Sequence, residues 1–332
     1  MKHFKYLIAL MASWCLALPS QAQGHLTIRV GVQAIPPDAL FMAKDWLTPY
    51  GLKAEVSEFS SGGDMMQAFV AGKLDVADGG SGRLVTLAAT QPQLFYIMGV
   101  RQSGGDRYGV LVPMNSTAKS IQDLKGKKVG TVSGSGSNST FRLFLEKNGL
   151  AEKDFQMVNM KVQDMQSALQ QGLLDAAVAW EPQVAIAETA GAAKRIISMK
   201  GVNESPNFYL ISRKFADAHP EAVSRFLAAA WEEAELIRTN SAEAGRLAAG
   251  YISKKGVQTD PKGLALALSR INVDPEIKEP MVAELVPIAE SMLAANRIKQ
   301  MPDFKTLVNK KFYEASVAFR RSEEHTSELQ SH

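Results

Sequence analysis

Apolar and polar positions alternate over residues 26–32 (LTIRVGV), which predicts a strand with one buried face. The next stretch, PDALFMAKDWLTPYGL, has helical spacing, with Pro37 near its start and Gly51 past its end, and predicts one helix. KAEVSEF returns to strand alternation, and SGGDMMQAFVAGKLDVADGG predicts a turn, a helix over residues 64–71 and a short buried strand over 74–77. A helix (SGRLVTLAAT) and a buried strand (FYIMGV) complete a β-α-β-α-β-α-β order. Strands and helices that alternate in this way build a parallel sheet covered by helices on both faces.

The rhythm then restarts. YGVLVP leads into SIQDLKGKKVGTV, a Gly/Ser tract, and a helix ending at Asn148-Gly149. Strand FQMVNM, helix QDMQSALQQG, strand LLDAAVAW, helix EPQVAIAETAG and strand AKRIISM follow. Two α/β units in series imply two lobes. NFYLISRKF (207–215) is expected to cross back to the first lobe, and the chain beyond it is almost all helical, with Pro220 in a first helical turn. The halves also echo each other: SGGDMMQAFVAGKLDVADGG parallels VQDMQSALQQGLLDAAVAWEP, with Asp75 and Asp175 in equivalent places as capping or turn acids. Both units put polar loops at the C-terminal ends of strands, where open α/β sheets bind ligands.

Both ends of the 332-residue chain differ in pattern from the middle. Residues 1–22 have a positive start at Lys2 and Lys5, an apolar centre and the small-residue site Ser20-Gln21-Ala22, the pattern of a cleaved export signal and hence of a periplasmic protein. Residues 321–332 (RSEEHTSELQSH) lack apolar periodicity and resemble the translation of a DNA-sequencing adapter. They are expected to be an unstructured, dispensable artefact. The only cysteine, Cys15, lies in the export signal, so the exported chain must fold on its core without disulfides. With only His25 and His219 between the two ends, a zinc-type metal site is not expected. The formal net charge of +3 is small and its basic residues are scattered, which argues against nucleic acid.

The tract Ser133-Gly134-Ser135-Gly136-Ser137-Asn138-Ser139-Thr140, between a strand and a helix, carries the most chemistry. A phosphate-binding P-loop requires Gly-Lys-Ser/Thr, but Gly136 is followed by Ser137-Asn138. A serine nucleophile elbow requires G-x-S-x-G, which neither SGSGSN nor GGSGR satisfies. What remains is an anion seat: unpaired N–H groups and the helix dipole face one point, and glycines let backbone approach a ligand. A plain capped helix is the competing reading.

Four segments carry a family resemblance: FSSGGDMMQAFVAGKLDVADGGSGRLVTLA, SIQDLKGKKVGTVSGSGSNSTFRLFLEKNGL, DMQSALQQGLLDAAVAWEP and ISRKFADAHPEAVSRFLAAAWEEA. In this order they resemble the periplasmic solute-binding proteins of ABC transporters, in the nitrate/sulfonate/taurine group shared with thiamine-pyrimidine precursors. The resemblance implies a type II periplasmic binding fold: two lobes, each a mainly parallel sheet flanked by helices, joined by two hinge crossings and closing softly over one small molecule. It implies no enzymatic activity, no cofactor, a monomer, and an ABC permease and ATPase as partners. A pyrimidine-precursor binder, a related secreted enzyme and an exported sensor domain are the alternatives.

On this frame the first lobe is expected over 23–112 and 207–320 and the second over 113–206, with crossings near 111–114 and 206–210. Strand ends supply the candidate ligand-binding residues. In the first lobe these are Gln33, Ser61, Gly62, Gly63, Asp64, Gly80, Ser81, Gly82 and Arg83; in the second, Ser135, Gly136, Ser137, Asn138, Trp180 and Glu181. Arg83 and the Gly/Ser turns suit a sulfonate or carboxylate, Asp64, Asp78 and Glu181 an amine, and Trp180 an apolar or cationic moiety.

Overall fold

The computed structural model describes the backbone of residues 25–330 and the side chains of residues 25–321; the expected export signal lies outside the described residues. Ten strands form two separate five-stranded sheets. The strands of the first are β1 (Leu26–Gln33), β2 (Leu52–Phe59), β3 (Val76–Gly80), β4 (Phe95–Gln102) and, much later in the chain, β10 (Asn207–Ser212). The second holds β5 (Tyr108–Pro113), β6 (Lys128–Thr131), β7 (Gln156–Asn159), β8 (Ala176–Trp180) and β9 (Ala193–Ser198). Helices α1 (Pro36–Ala43), α2 (Gly62–Val70) and α3 (Ser81–Thr90) flank the first sheet; α4 (Gly136–Lys147), α5 (Val162–Gln170) and α6 (Gln183–Thr189) flank the second. The rest of the chain forms α7 (Arg213–Ala218), α8 (Pro220–Thr239), α9 (Ser241–Lys254) and α10 (Pro261–Ser269). It ends with α11 (Glu279–Ala283), α12 (Leu285–Ala294), α13 (Phe304–Leu307) and α14 (Lys310–Gln330).

The strand orders are β2-β1-β3-β10-β4 and β7-β6-β8-β5-β9. In each sheet one strand runs against the others: β10 is antiparallel to β3 and β4, and β5 is antiparallel to β8 and β9. These two strands follow the crossings between lobes, so each enters its new sheet head to tail. Each sheet separates two apolar cores. Ile28, Leu40, Phe226 and Leu264 pack on one side of the first sheet, and Met65, Leu84, Phe95 and Leu285 on the other. Val110, Phe141 and Val178 lie on one side of the second, and Leu111, Met165 and Val184 on the other.

The internal echo is structural. Asp75 accepts the Arg29 backbone N–H at 2.9 Å, and Asp175 accepts that of Lys128 at 2.9 Å. Each acid thereby fastens the start of its strand, β3 or β8, to the parallel neighbour β1 or β6. Glycines match as well. A Cβ on Gly31 would stand 2.7 Å from Leu74 Cδ1, and one on Gly130 would stand 2.5 Å from Leu174 Cδ1. A bare backbone at both places lets the equivalent leucine seal the core.

Three expectations are corrected. YGVLVP pairs wholly within the second sheet, so the first crossing is residues 103–107, upstream of 111–114, and the second lobe begins before 113. The helix expected over PDALFMAKDWLTPYGL stops at Ala43, because Lys44 is extended and the Asp45 carboxylate takes the N–H groups of Leu47 and Thr48. This local turn lets Trp46 and Leu47 fold back into the core. Finally, α14 continues to Gln330 where an unstructured tail was expected. Glu, Leu and Gln are good helix formers, and extension of an existing helix needs no new nucleus.

Candidate functional site

The C-terminal ends of β1, β2 and β3 open into the N-termini of α1, α2 and α3. Ser61 caps α2: its Oγ accepts the Asp64 N–H at 3.2 Å and donates to Asp64 Oδ2 at 2.7 Å. Asp64 is thus engaged in a local capping pair and Gly63 follows Gly62 in the first turn. Gly62 leaves the space that matters. A Cβ there would lie 2.8 Å from Gln33 Oε1 and 3.0 Å from Arg83 Nη1, so the glycine lets both side chains close over the start of α2. Arg83 is exposed and has no acid within ion-pair distance among the described residues.

Asp78, 3% exposed at the middle of β3, orders this wall. Gln33 Nε2 donates to its Oδ1 and Asn207 Nδ2 to its Oδ2, both at 3.0 Å. A carboxylate only accepts, so both amides must turn their NH2 groups towards Asp78. Their carbonyl oxygens then face the glycine turns: Asn207 Oδ1 stands 3.6 Å from where a Cβ on Gly80 would be. Ser81 at the start of α3 donates from Oγ to the Pro206 carbonyl at 3.3 Å, with Gly82 next to it in the same turn.

The second lobe supplies α4. Ser135 is its N-cap, with Oγ accepting the Asn138 N–H at 3.1 Å and lying 3.0 Å from Ser137 Oγ. Gly136 is exposed and its bareness is required: a Cβ would stand 2.6 Å from Tyr108 Oη and 3.5 Å from Ser205 Oγ. Tyr108 and Ser205 face each other at 3.2 Å. The second crossing, Ser205-Pro206-Asn207, is therefore touched by Asp78 and Ser81 from one lobe and by Tyr108 from the other. It forms the floor between the two glycine-walled helix starts. Ser205 itself sits at φ 43°, held there because Glu284 accepts the N–H groups of Glu204 at 2.7 Å and Ser205 at 3.0 Å.

Several predicted residues point elsewhere. Ser137 is fully buried, and the Asn138 amide donates to Glu152 Oε1 at 2.9 Å, away from the floor. Trp180 is half-buried against both cores of the second sheet, opposite Tyr108 in the ladder. Glu181 is 3% exposed, accepts the Ala185 N–H at 2.9 Å and pairs with Arg270 at 3.0 Å. Burial pushes its carboxyl up from the usual carboxylate range, opposed by these two donors. Glu181 thus has its partners within the protein and offers no free carboxylate to a ligand amine. Tyr108, Ser205, Asn207 and the buried Arg107 are the floor residues that pattern-reading missed. Glycine at 136 and the polar run Asn203-Glu204-Ser205-Pro206-Asn207 were the available signals.

A groove of about 570 Å³, lined by Pro113, Ser116, Asp123, Lys127 and Asp175 among others, lies at the opposite end of β8 from Trp180 and touches none of these groups. Among the described residues no cluster of three His, Cys, Asp or Glu side chains is arranged to hold a metal, and no helix is long and apolar enough to cross a membrane.

Two lobes of flanked sheets, joined by two crossings with polar strand ends gathered at the second, define a two-lobed binding-protein fold. The chain belongs to the NMT1/THI5-like family, whose profile matches residues 40–244. It is similar to a putative aliphatic sulfonates-binding protein of Bacillus subtilis, 28% identical over 220 residues. That match covers 63% of this chain and 66% of the relative, so it spans just under two thirds of the relative's length. The periplasmic aliphatic sulphonate binding protein SsuA from Escherichia coli has the same fold, with a TM-score of 0.72 at 24% identity, covering 86% of this chain and 92% of that one. The desulfurization enzyme DSZB shares the fold too, with a TM-score of 0.66 at 15% identity over 89% of this chain and 99% of the enzyme.

Proposed function

We propose that the protein is the extracytoplasmic solute-binding component of an ABC importer, and that it holds one small organic oxyanion of the sulfonate class between its lobes. The observation that supports this best is the pairing of two glycine-bared helix starts, Gly62 with the acid-free Arg83 and Gly136 with Tyr108, across one crossing segment. Helix N–H groups, an arginine fork and hydroxyls are all donors, and a three-oxygen anion needs donors from several directions. The sulfonate-binding names of the relatives favour a sulfonate over a carboxylate. A transport role also needs a periplasmic location and docking to a permease with its ATPase, to which the ligand would be handed.

An enzymatic role has less support. His219 precedes Pro220 at the start of α8, a poor position for a catalytic base, and is exposed with its ring 5.1 Å from that of Phe215. A thermal-shift screen over alkanesulfonates, taurine, nitrate, small carboxylates and pyrimidines tests the proposal. A sulfonate at 100 times its dissociation constant should stabilise the fold by about 2.7 kcal/mol and be recovered unchanged. Turnover of the ligand, or stabilisation by pyrimidines alone, would overturn the reading.

A further inference from the structure

The second crossing has a neighbour whose charge the fold leaves unanswered. Arg107, the last residue before β5, is 4% exposed. Among the described residues no carboxylate lies within ion-pair distance of it. Its Nη2 donates to the Ser205 carbonyl, its guanidinium lies over the Tyr108 ring at 4.8 Å, and its Nε is buried without any hydrogen-bond partner. Arg101, a buried arginine of the first lobe, is treated quite differently, with Asp38 at 2.8 Å and Glu233 at 2.7 Å. A buried cation without a counter-charge is costly, and an aromatic face offsets only part of that cost.

We propose that Arg107 is a ligand-binding residue, and that the anionic head of the bound molecule is its missing counter-ion. Arg107 and Gly136 meet at the same Tyr108–Ser205 pair. The twelve-residue helix α4 directs its first N–H groups to this place. One of the two hydroxyls donates to the other at 3.2 Å, which leaves the second free to donate to an oxyanion. Guanidinium, hydroxyl and helix start thus surround one position from three sides, with the charge supplied from the floor. Arg83 then closes over the ligand from the first lobe, as the exposed and movable member of the pair.

This rests on the oxyanion-binding reading above, and the test separates the two. Ethanesulfonate is titrated calorimetrically into the wild type, Arg107→Met and Arg107→Lys, and each empty protein is melted. The expected result is at least a hundredfold loss of affinity in Arg107→Met, a smaller loss in Arg107→Lys, and a melting temperature of empty Arg107→Met equal to or above that of the wild type. Removing a merely structural arginine would lower it. Wild-type affinity in Arg107→Met, or a clear drop in its ligand-free melting temperature, overturns the assignment. If the wild type ignores ethanesulfonate but binds nitrate or a carboxylate through Arg107, the sulfonate class fails and the Arg107 assignment stands. If the wild type binds no oxyanion, both fall.

Discussion

Arg270, at the C-terminus of α10 in the first lobe, donates to Glu181 at 3.0 Å at the end of β8 in the second lobe. The same guanidinium also reaches Glu188 on α6. Gly263 makes the helix contact possible, since a Cβ there would stand 3.0 Å from Thr189 Oγ1. The lobes are therefore tied by an ion pair as well as by two chain crossings. Arg270→Met strands the buried Glu181 carboxylate and should destabilise the protein by about 1–3 kcal/mol. That is less than the roughly 3–5 kcal/mol of a fully buried pair, because Arg270 is partly open to water. Urea unfolding checks this, and the double variant Arg270→Met with Glu181→Gln should recover much of the loss. No recovery would mean that the two residues do not act as a pair.

Gly62→Ala tests the first-lobe wall. The added methyl would displace Gln33 Oε1 and Arg83 Nη1, both at the free ends of flexible side chains. Stability should change by less than about 1 kcal/mol. Affinity should fall tenfold or more, which corresponds to about 1.4 kcal/mol. Unchanged affinity would place the ligand away from α2.

The network behind Gln33 makes stability depend on pH. Burial pushes the Asp38 carboxyl up from 3.8 to about 7, with Arg101 opposing and Asp78 adding to the rise. The unfolded chain releases this proton near pH 4, while the folded protein holds it to about pH 7. The associated stability is present in full below pH 4 and is lost as pH rises through 7, on the order of 2–4 kcal/mol. Denaturation curves from pH 4.5 to 7.5 should slope downward more steeply in the wild type than in Asp38→Asn. Parallel slopes would show that Asp38 does not titrate in this range.

Much of the framework was legible in the sequence. The two βα units, their echo and the capped turns at Ser61 and Ser135 are local patterns of strand alternation, glycine and hydroxyl. Pairing across long separations was not. YGVLVP reads as a strand, but nothing within it tells that its partners are β8 and β9. Glu181 looked available because its partner Arg270 lies 89 residues further on. Asn138 looked like a ligand group because its amide partner Glu152 sits beyond the helix it starts. Arg107 carries no motif; its significance comes from burial and the lack of an acid, which only the folded arrangement reveals.

Removing residues 321–332 tests the reading of the C-terminal end. Helix α14 packs on α8 through its earlier residues, with Tyr313 beside Trp231 at 6.1 Å, and this contact survives the deletion. Melting temperature and ligand affinity should match those of the full chain. A drop of several degrees would show that the last turns belong to the fold.

On the proposed function, a single cleft recognises the charge of a small oxyanion. Calorimetric titration of the full chain with ethanesulfonate, and in parallel with its uncharged isostere ethanesulfonamide, measures this most directly. The predicted result is saturable binding of one ethanesulfonate per chain, with the sulfonamide at least a hundredfold weaker. Equal binding of the two compounds, or no saturable binding of the sulfonate by folded protein, would contradict it.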